Sequence, residues 1–282
     1  MNVSTIIAGM PSLSQPEFEL LSGFIYQNYG IKMPQIKKTL LQCRLQKRLR
    51  VLQMDSFEQY IDYVFSAEGV EKELQHMTDV VTTNKTDFFR ESAHFDFMQN
   101  MQWQQFMGGE PAARTVKVWS SACSTGEEPY TLAMVLQELK LQYQILATDL
   151  SLDVLQKAAA AIYTAEKTTP VPLAYKQRYL LRNKDPKTPL MRRVPELRKK
   201  VQFRQLNLMD DYYDVQTKFD LIFCRNVLIY FDRKTQEQVI RKLCSHLRVG
   251  GYLFIGHSES LADLRLPVVQ VKSTIFQKTA ER

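Results

Sequence analysis

Glycine is scarce in this 282-residue chain, at ten residues. The turn after the strand-like run TVKVWS, written SSACSTGEE, holds only Gly126. A dinucleotide fold that seats a pyrophosphate wants G-x-G-x-x-G at that place, so NAD and ATP are argued against. Cysteine and histidine are equally thin, four of each. No C-x-x-C pair occurs and no histidine lies at ligand spacing from Cys43, Cys123, Cys224 or Cys244, so these read as reduced thiols and no structural zinc or other metal is expected. No run approaches the roughly 18 apolar residues of a membrane-spanning helix. The N-terminus, MNVSTIIAGMPSLSQPEFEL, lacks both the charged segment and the long apolar core of a signal peptide. The cytoplasm is the expected compartment.

Acidic residues are missing where bases crowd. Residues 31–50 carry seven Lys/Arg and no Asp/Glu, and residues 175–204 carry eleven Lys/Arg against Asp185 and Glu196. Two such blocks in a chain of net charge +7 imply an acidic partner. The first block reads as a helix with Leu41, Leu45, Leu49 and Leu52 on one stripe and Lys37, Arg44, Lys47 and Arg48 on the neighbouring face. That face is either a substrate-binding surface or an ordinary solvated one.

The 45% hydrophobic and 24% charged residues are those of a globular protein. Residues 16–80 read as helices: PEFELLSGFIYQNYG stops at Gly30, and SFEQYIDYVFS opens on a Ser-x-x-Gln capping pattern. From about residue 115 strands and helices alternate: TVKVWS, EEPYTLAMVLQELK, QILATDL, SLDVLQKAAAAIY, KFDLIFCRN, RKTQEQVIRKLCSHL, YLFIG and a last strand or hairpin in VVQVKSTIFQKT. The alternation predicts an α/β, doubly wound parallel sheet. The proline-studded, basic stretch 166–200 interrupts it as an inserted element of short strands or loops. The expected division is a helical domain over 1–80 and an α/β domain over 81–282.

In such a sheet, ligands bind at the carboxyl ends of the strands, which here end in polar residues. The helix after the first strand starts with Glu127 and Glu128, whose carboxylates repel a pyrophosphate and suit a cofactor carrying an amine or sulfonium. S-adenosylmethionine (SAM) has both. Asp149 ends the second strand, 23 residues after Gly126, where an acid takes ribose hydroxyls; the other reading is a cap on the next helix. Arg225-Asn226 follow the strand KFDLIFC, and Arg225 serves either the site or an Arg–carboxylate pair that holds the loop.

Five segments in order carry a family resemblance: TTNKTDFFRE (82–91), SSACSTGEEPY, ATDLS, FCRNVLIYFD and GGYLFIGHSES. Together they closely resemble the CheR-type chemotaxis receptor methyltransferases, over about residues 16–277. The resemblance implies an all-α N-terminal domain with a basic helix, then a class I, Rossmann-like SAM-binding domain with a small β insertion. It implies a protein-glutamate O-methyltransferase that forms γ-methyl esters on the cytoplasmic helices of chemoreceptors and leaves S-adenosylhomocysteine. By motif, Asn84, Thr86, Arg90, Glu128, Asp149, Asn207, Leu208, Arg225 and Asn226 look like cofactor contacts, with Glu127 or Glu128 left open as the acid. Arg90 and Tyr230 look nearest the methyl transfer. In some members the insertion also docks a peptide at the receptor's C-terminus, which the sequence leaves open here. A monomer is expected, without membrane insertion.

A glutamate carboxylate, with an unperturbed pKa of about 4.3, needs no general base to attack a methyl sulfonium. The scarcity of histidine fits that chemistry. A nucleic-acid methyltransferase acting on exocyclic amines brings an Asn/Asp-Pro-Pro-aromatic loop after the fourth strand. Here the loop is Arg-Asn-Val-Leu, so no nucleic-acid partner is expected. A non-catalytic adaptor has no need of Arg90, Glu128, Asp149 and Tyr230 together.

Overall fold

A computed structural model describes residues 11–108, 114–183 and 190–280. The chain divides into two compact units, 1–83 and 84–282.

The first unit is helical: α1 (Gln15–Tyr29), α2 (Lys38–Leu52), α3 (Phe57–Val64), α4 (Ala67–Lys72) and α5 (Leu74–Val81). Ser14 and Glu17 close a reciprocal capping box on α1, and Gly30, at φ 70°, ends the helix in the left-handed conformation glycine adopts without strain. The expected stripe on α2 is buried at Leu41, Leu45 and Leu49, where it meets Phe18, Leu21 and Ile25 of α1 in one apolar cluster with Tyr60 and Met77.

The second unit begins with α6 (Ala93–Gln99) and α7 (Trp103–Met107) and continues as β1 (Val116–Ser120), α8 (Glu127–Glu138), β2 (Tyr143–Asp149), α9 (Leu152–Ala160), β3 (Ile162–Thr164), α10 (Leu173–Tyr179), β4 (Leu180–Arg182), β5 (Leu190–Arg193), α11 (Pro195–Arg198), β6 (Val201–Gln205), β7 (Phe219–Cys224), α12 (Arg233–His246), β8 (Leu247–Ile255), β9 (Val268–Lys272) and β10 (Ile275–Lys278). Seven strands form one sheet in the order β6-β2-β1-β7-β8-β10-β9. The first five are parallel, and β8–β10 and β10–β9 pair antiparallel. The sheet is therefore doubly wound and mostly parallel rather than wholly so, because the last segment folds back as a hairpin.

All six residues of β7 are buried, as expected of a central parallel strand covered on both faces. Leu221 and Phe223 join the cluster beneath α8, while Ile222 and Cys224 face Val239, Ile240 and Leu243 of α12. The strand order reverses between β1 and β7, which opens a crevice at their carboxyl ends.

Three local outcomes differ from the pattern reading. The helix after Asp149 stops at Ala161, which takes a left-handed φ of 56°, and Ile162-Tyr163 pass into β3. The interruption is a three-stranded antiparallel sheet, β3-β5-β4, together with helix α10, and its first strand precedes residue 166. Edge strand β6 was not anticipated, because only Val201 and Phe203 are apolar in a run otherwise made of Gln and Arg. Among the described residues, no helix is long and apolar enough to cross a membrane.

Candidate active site

The loop after β1 turns at Ser124, with φ 48°, and at Gly126, with φ 93°. A Cβ on Gly126 would stand 2.9 Å from both Ala158 Cβ and the Tyr163 hydroxyl, so backbone conformation and space both require glycine. The Ser124 amide donates to Asp149 Oδ2 at 2.8 Å, and the Ser151 amide donates to Oδ1 at 3.1 Å. Ser151, whose hydroxyl accepts from the Val154 amide, caps α9. Asp149 is thus held at the strand end and is not the helix cap.

The two glutamates that open α8 diverge. Glu127 is buried, accepts from the Thr125 hydroxyl at 2.6 Å and lies 3.8 Å from Lys167 Nζ. Glu128 accepts from the Ser120 hydroxyl at 2.7 Å and from Arg225 Nη1 at 3.0 Å, over the ends of β1 and β7. Burial pushes both carboxyls above the usual range, opposed at Glu127 by the Thr125 bond and at Glu128 by Arg225.

Arg225 is 6% exposed and joins the segments of the site. Its Nη1 meets Glu128, its Nε and Nη2 meet Glu91 Oε2 at 3.3 and 3.0 Å, and Nη2 also donates to the Arg90 carbonyl. The guanidinium is therefore engaged by two carboxylates that hold the loop. Glu91 also accepts from Asn226 Nδ2 at 3.1 Å and from the His257 amide at 3.2 Å. Burial alone would raise the Glu91 carboxyl, but Arg225 and these donors hold it below its ordinary range. His94 is fully buried, with Nε2 2.8 Å from Thr274 Oγ1. Burial, reinforced by Arg225, lowers its pKa to about 3, so it is neutral at working pH. Glu91, His94 and His257 bring ligand atoms within 4.8 Å of one another. Both Glu91 oxygens are already engaged there, Oε2 by Arg225 and Oε1 by Asn226 and the His257 amide.

The loop 84–91 is bent against its own preference. Phe89 (φ 54°) and Glu91 (φ 59°), on either side of Arg90, both sit in the left-handed region. Each such non-glycine residue costs roughly 1–3 kcal/mol and persists only when its surroundings over-determine it. The Phe89 amide donates to Thr131 Oγ1 at 3.2 Å, the Ser124 hydroxyl to the Asn84 carbonyl at 2.8 Å, and Arg90 Nη1 to the Lys85 carbonyl at 3.0 Å. Asn226, at φ 59°, is held similarly. Glu259 is 8% exposed and accepts from the amides of Asn226 at 3.0 Å, Leu228 at 2.7 Å and Gly256 at 2.5 Å. It thereby ties the loop after β7 to the end of β8.

Asn207 and Leu208 follow β6 beside Asp149, whose carbonyl accepts from the Leu206 amide at 3.0 Å. The Leu208 side chain is buried in the α12-side cluster, and its carbonyl accepts from the Tyr213 hydroxyl at 2.8 Å and from Lys242 Nζ at 2.9 Å. Tyr230 is half-buried in a short turn over Leu228–Tyr230. The α/β unit thus groups Arg225, Asn226, Glu128 and the Arg90 backbone directly, with Asn84 tied to Ser124 and Ser124 to Asp149.

On the helical unit, Arg48 is spent internally. Its guanidinium meets Glu73 at 2.7 and 2.8 Å, and the Tyr60 hydroxyl donates to the same carboxylate at 3.0 Å. Arg44 binds the Val81 carbonyl and Thr83 Oγ1. Lys47 is exposed, while Lys37 lies in the turn before α2, with Nζ 3.5 Å from the Lys32 carbonyl. The charged face read from the sequence is thus partly a structural brace.

Glu91 and Glu259 were missed as site residues. Both lie inside segments singled out from the sequence, but their partners are distant in the chain, and no local pattern announces them. The donor set suits SAM. Asp149 and Glu128 present carboxylates, which are chemically suited to hydroxyls and to an ammonium, and Arg225 is already engaged by carboxylates.

Residues 84–276 match the family model described as the CheR methyltransferase SAM binding domain, and residues 16–82 match the CheR methyltransferase all-alpha domain. A "Chemotaxis protein methyltransferase" of Borreliella burgdorferi is 39% identical over 261 residues, covering 89% of this chain and 90% of that protein. Proteins of the same description from Salmonella typhimurium and Escherichia coli are each 37% identical over 257 residues, covering 90% of this chain and 86% and 87% of theirs.

Proposed function

The chain belongs to the CheR methyltransferase family, and on that premise we propose that it methylates glutamate side chains on the cytoplasmic helices of chemoreceptors. The observation that supports this reading is that the histidine beside the Arg225–Glu91 pair is buried, is made a weak base by that burial and by Arg225, and is bonded to Thr274, away from the role of a base. A carboxylate acceptor, already ionised at neutral pH, needs no base. The names of the relatives point to chemotaxis.

When bound, SAM supplies a methyl group on a sulfonium; the acceptor carboxylate oxygen forms the new C–O bond, and the electrons of the broken C–S bond return to sulfur. The protein's part is to position, which is worth roughly 7–11 kcal/mol in the best cases. In this reading Asp149 takes the ribose hydroxyls, Glu128 the ammonium, and Asn207 and the Leu208 amide the adenine edge. Asn84, Thr86 and Asn226 line the cofactor. Arg225 contributes by holding Glu128 and the Arg90 backbone. Arg90, with its planar fork, orients the carboxylate that reacts or that of the cofactor, and Tyr230 packs beside the reacting centre. Lys47, with Lys37, Arg44 and the braced Arg48, gives α2 the positive face that a Glu-rich helix would meet, which raises the on-rate in low salt.

The test is label transfer from tritiated SAM to membranes carrying chemoreceptors. The expected product loses its label as methanol in mild base, as esters do. Base-stable label, or label on nucleic acid, overturns the acceptor assignment. Arg90→Lys keeps the charge and removes the fork, so a severe loss of turnover is expected.

A further inference from the structure

Arg193 of β5 is completely buried, yet its Nε and Nη2 find no hydrogen-bond partner among the described residues. Its Nη1 reaches only the Met134 sulfur, at 3.5 Å. Instead the guanidinium carbon stands 4.1 Å from the centre of the Phe88 ring and 5.6 Å from that of Tyr163. Phe88, itself 1% exposed, meets Tyr163 edge to face with centroids 4.9 Å apart. The residue two before Arg90 is thus packed against an arginine from β5 and a tyrosine from β3, both strands of the small sheet. A cation over an aromatic face is attracted to the ring, the more so when water is excluded. A second base, from the same inserted segment, also reaches the loop. Lys167, between β3 and α10, donates from Nζ to the Thr86 carbonyl at 3.1 Å and lies 4.0 Å from Asp87 and 3.8 Å from Glu127.

We propose that Arg193 and Lys167 are positioning residues for methyl transfer: through Phe88 and the Thr86 backbone, the small sheet fixes the loop that carries Asn84, Thr86 and Arg90. The loop needs such support, because Phe89 and Glu91 hold unfavourable left-handed backbones around Arg90. Bonds from α8 and from the loop after β7 secure its far end, at Phe89 and Glu91. Its near end is secured by Lys167 and Arg193, together with the Ser124 bond to Asn84. Burying a cation without a carboxylate partner is unfavourable for folding. Placing it on Phe88 gives that cost a use in holding the loop. This inference rests on the assignment of Arg90 to the reaction.

The experiment compares full-length Arg193→Met, Arg193→Lys, Lys167→Met and Arg90→Ala with the wild type. It measures turnover and KM with receptor membranes, the thermal midpoint, and S-adenosylhomocysteine affinity by calorimetry. Methionine fills the space of Arg193 and removes its charge. Arg193→Met and Lys167→Met should each lower kcat at least tenfold, with KM for receptor within about twofold and no fall in midpoint beyond a few degrees. Arg193→Lys should restore part of the turnover. If both Met variants keep wild-type kcat while Arg90→Ala is inactive, the positioning proposal fails and the site assignment stands. If Arg90→Ala is also fully active, the assignment itself fails and takes the proposal with it. Should Arg193→Met not fold, Lys167→Met, altered at a half-exposed side chain, decides alone.

Discussion

His94 makes an acid-sensitive lock of the α/β unit. Its ring is fully buried among Phe223, Phe254 and the ring of His257, bonded to Thr274, with the Arg225 guanidinium and the Glu91 carboxylate as the facing charges. Burial first, and Arg225 second, lower its pKa from 6.5 to about 3. A histidine with a depressed folded pKa binds its proton more readily when unfolded, so its contribution to stability is complete above pH 6.5 and is lost as pH falls toward 3. Each pH unit in that window costs about 1.4 kcal/mol, which amounts to roughly 2 kcal/mol at pH 5. For a unit of this size that corresponds to a fall of about 4–8 °C in midpoint.

The assay is calorimetric melting of the full chain at pH 7.5 and pH 5.0, for wild type and His94→Gln, which retains an amide group able to reach Thr274 and cannot titrate. The relevant transition is the one that S-adenosylhomocysteine raises, because a ligand stabilises only the unit that binds it. Glu127, Glu128 and Glu259 have raised folded pKa values, so their contributions run the other way, with stability falling as pH rises above the ordinary carboxyl range. They are common to both proteins and cancel in the difference. The wild type should lose about 2 kcal/mol more than His94→Gln between the two pH values. Equal losses would refute the buried, neutral assignment.

Asp149→Ala removes the carboxylate that the proposed reading gives to two ribose hydroxyls, at roughly 1.5–3 kcal/mol each; calorimetric affinity for S-adenosylhomocysteine should fall about a hundredfold or more, and an unchanged Kd would move the ribose elsewhere. Arg48→Glu should unfold the helical unit, because losing the partner of buried Glu73 costs about 3–5 kcal/mol. Lys47→Glu should leave melting unchanged while slowing receptor methylation in low salt, and equal rates there would remove α2 from substrate recognition. Glu259→Gln can keep one side-chain oxygen but turns an N–H toward at least one of the three amides its carboxylate receives. It should cost about 1–3 kcal/mol in the α/β unit and lower turnover by loosening Asn226; a stable but inactive variant would instead give Glu259 a role in the chemistry.

Much of the frame was legible because its signals are local. The apolar run of β7, the acids that open α8 and the serine caps each act over a few residues, and the structure places them as the spacing implies. Strand β6 was not legible, since an edge strand shares little of the core and keeps a polar sequence. From the residues the small sheet was legible as an insertion of short strands or loops, without its strand limits or pairing, because three- and four-residue strands are too short to display a period.

The site divides along the same line. Asp149 and the pair Glu127–Glu128 could be singled out from position, with the choice between the two glutamates left open, because the end of a strand and the first turn of a helix are places where topology dictates what a ligand meets. The role of Arg225 could not, because a guanidinium after a strand reads equally as a ligand contact or as a brace until its partners are known. Those partners, Glu91 and Glu128, lie 134 and 97 residues away in the chain. A buried arginine between two carboxylates is costly if either is lost, so neither glutamate can be replaced without disturbing the other's partner. That coupling explains why the TTNKTDFFRE, STGEE and FCRN segments had to be read together: they are three sides of one ion-paired junction, and Arg90 is held at its centre by its own carbonyl as much as by its side chain.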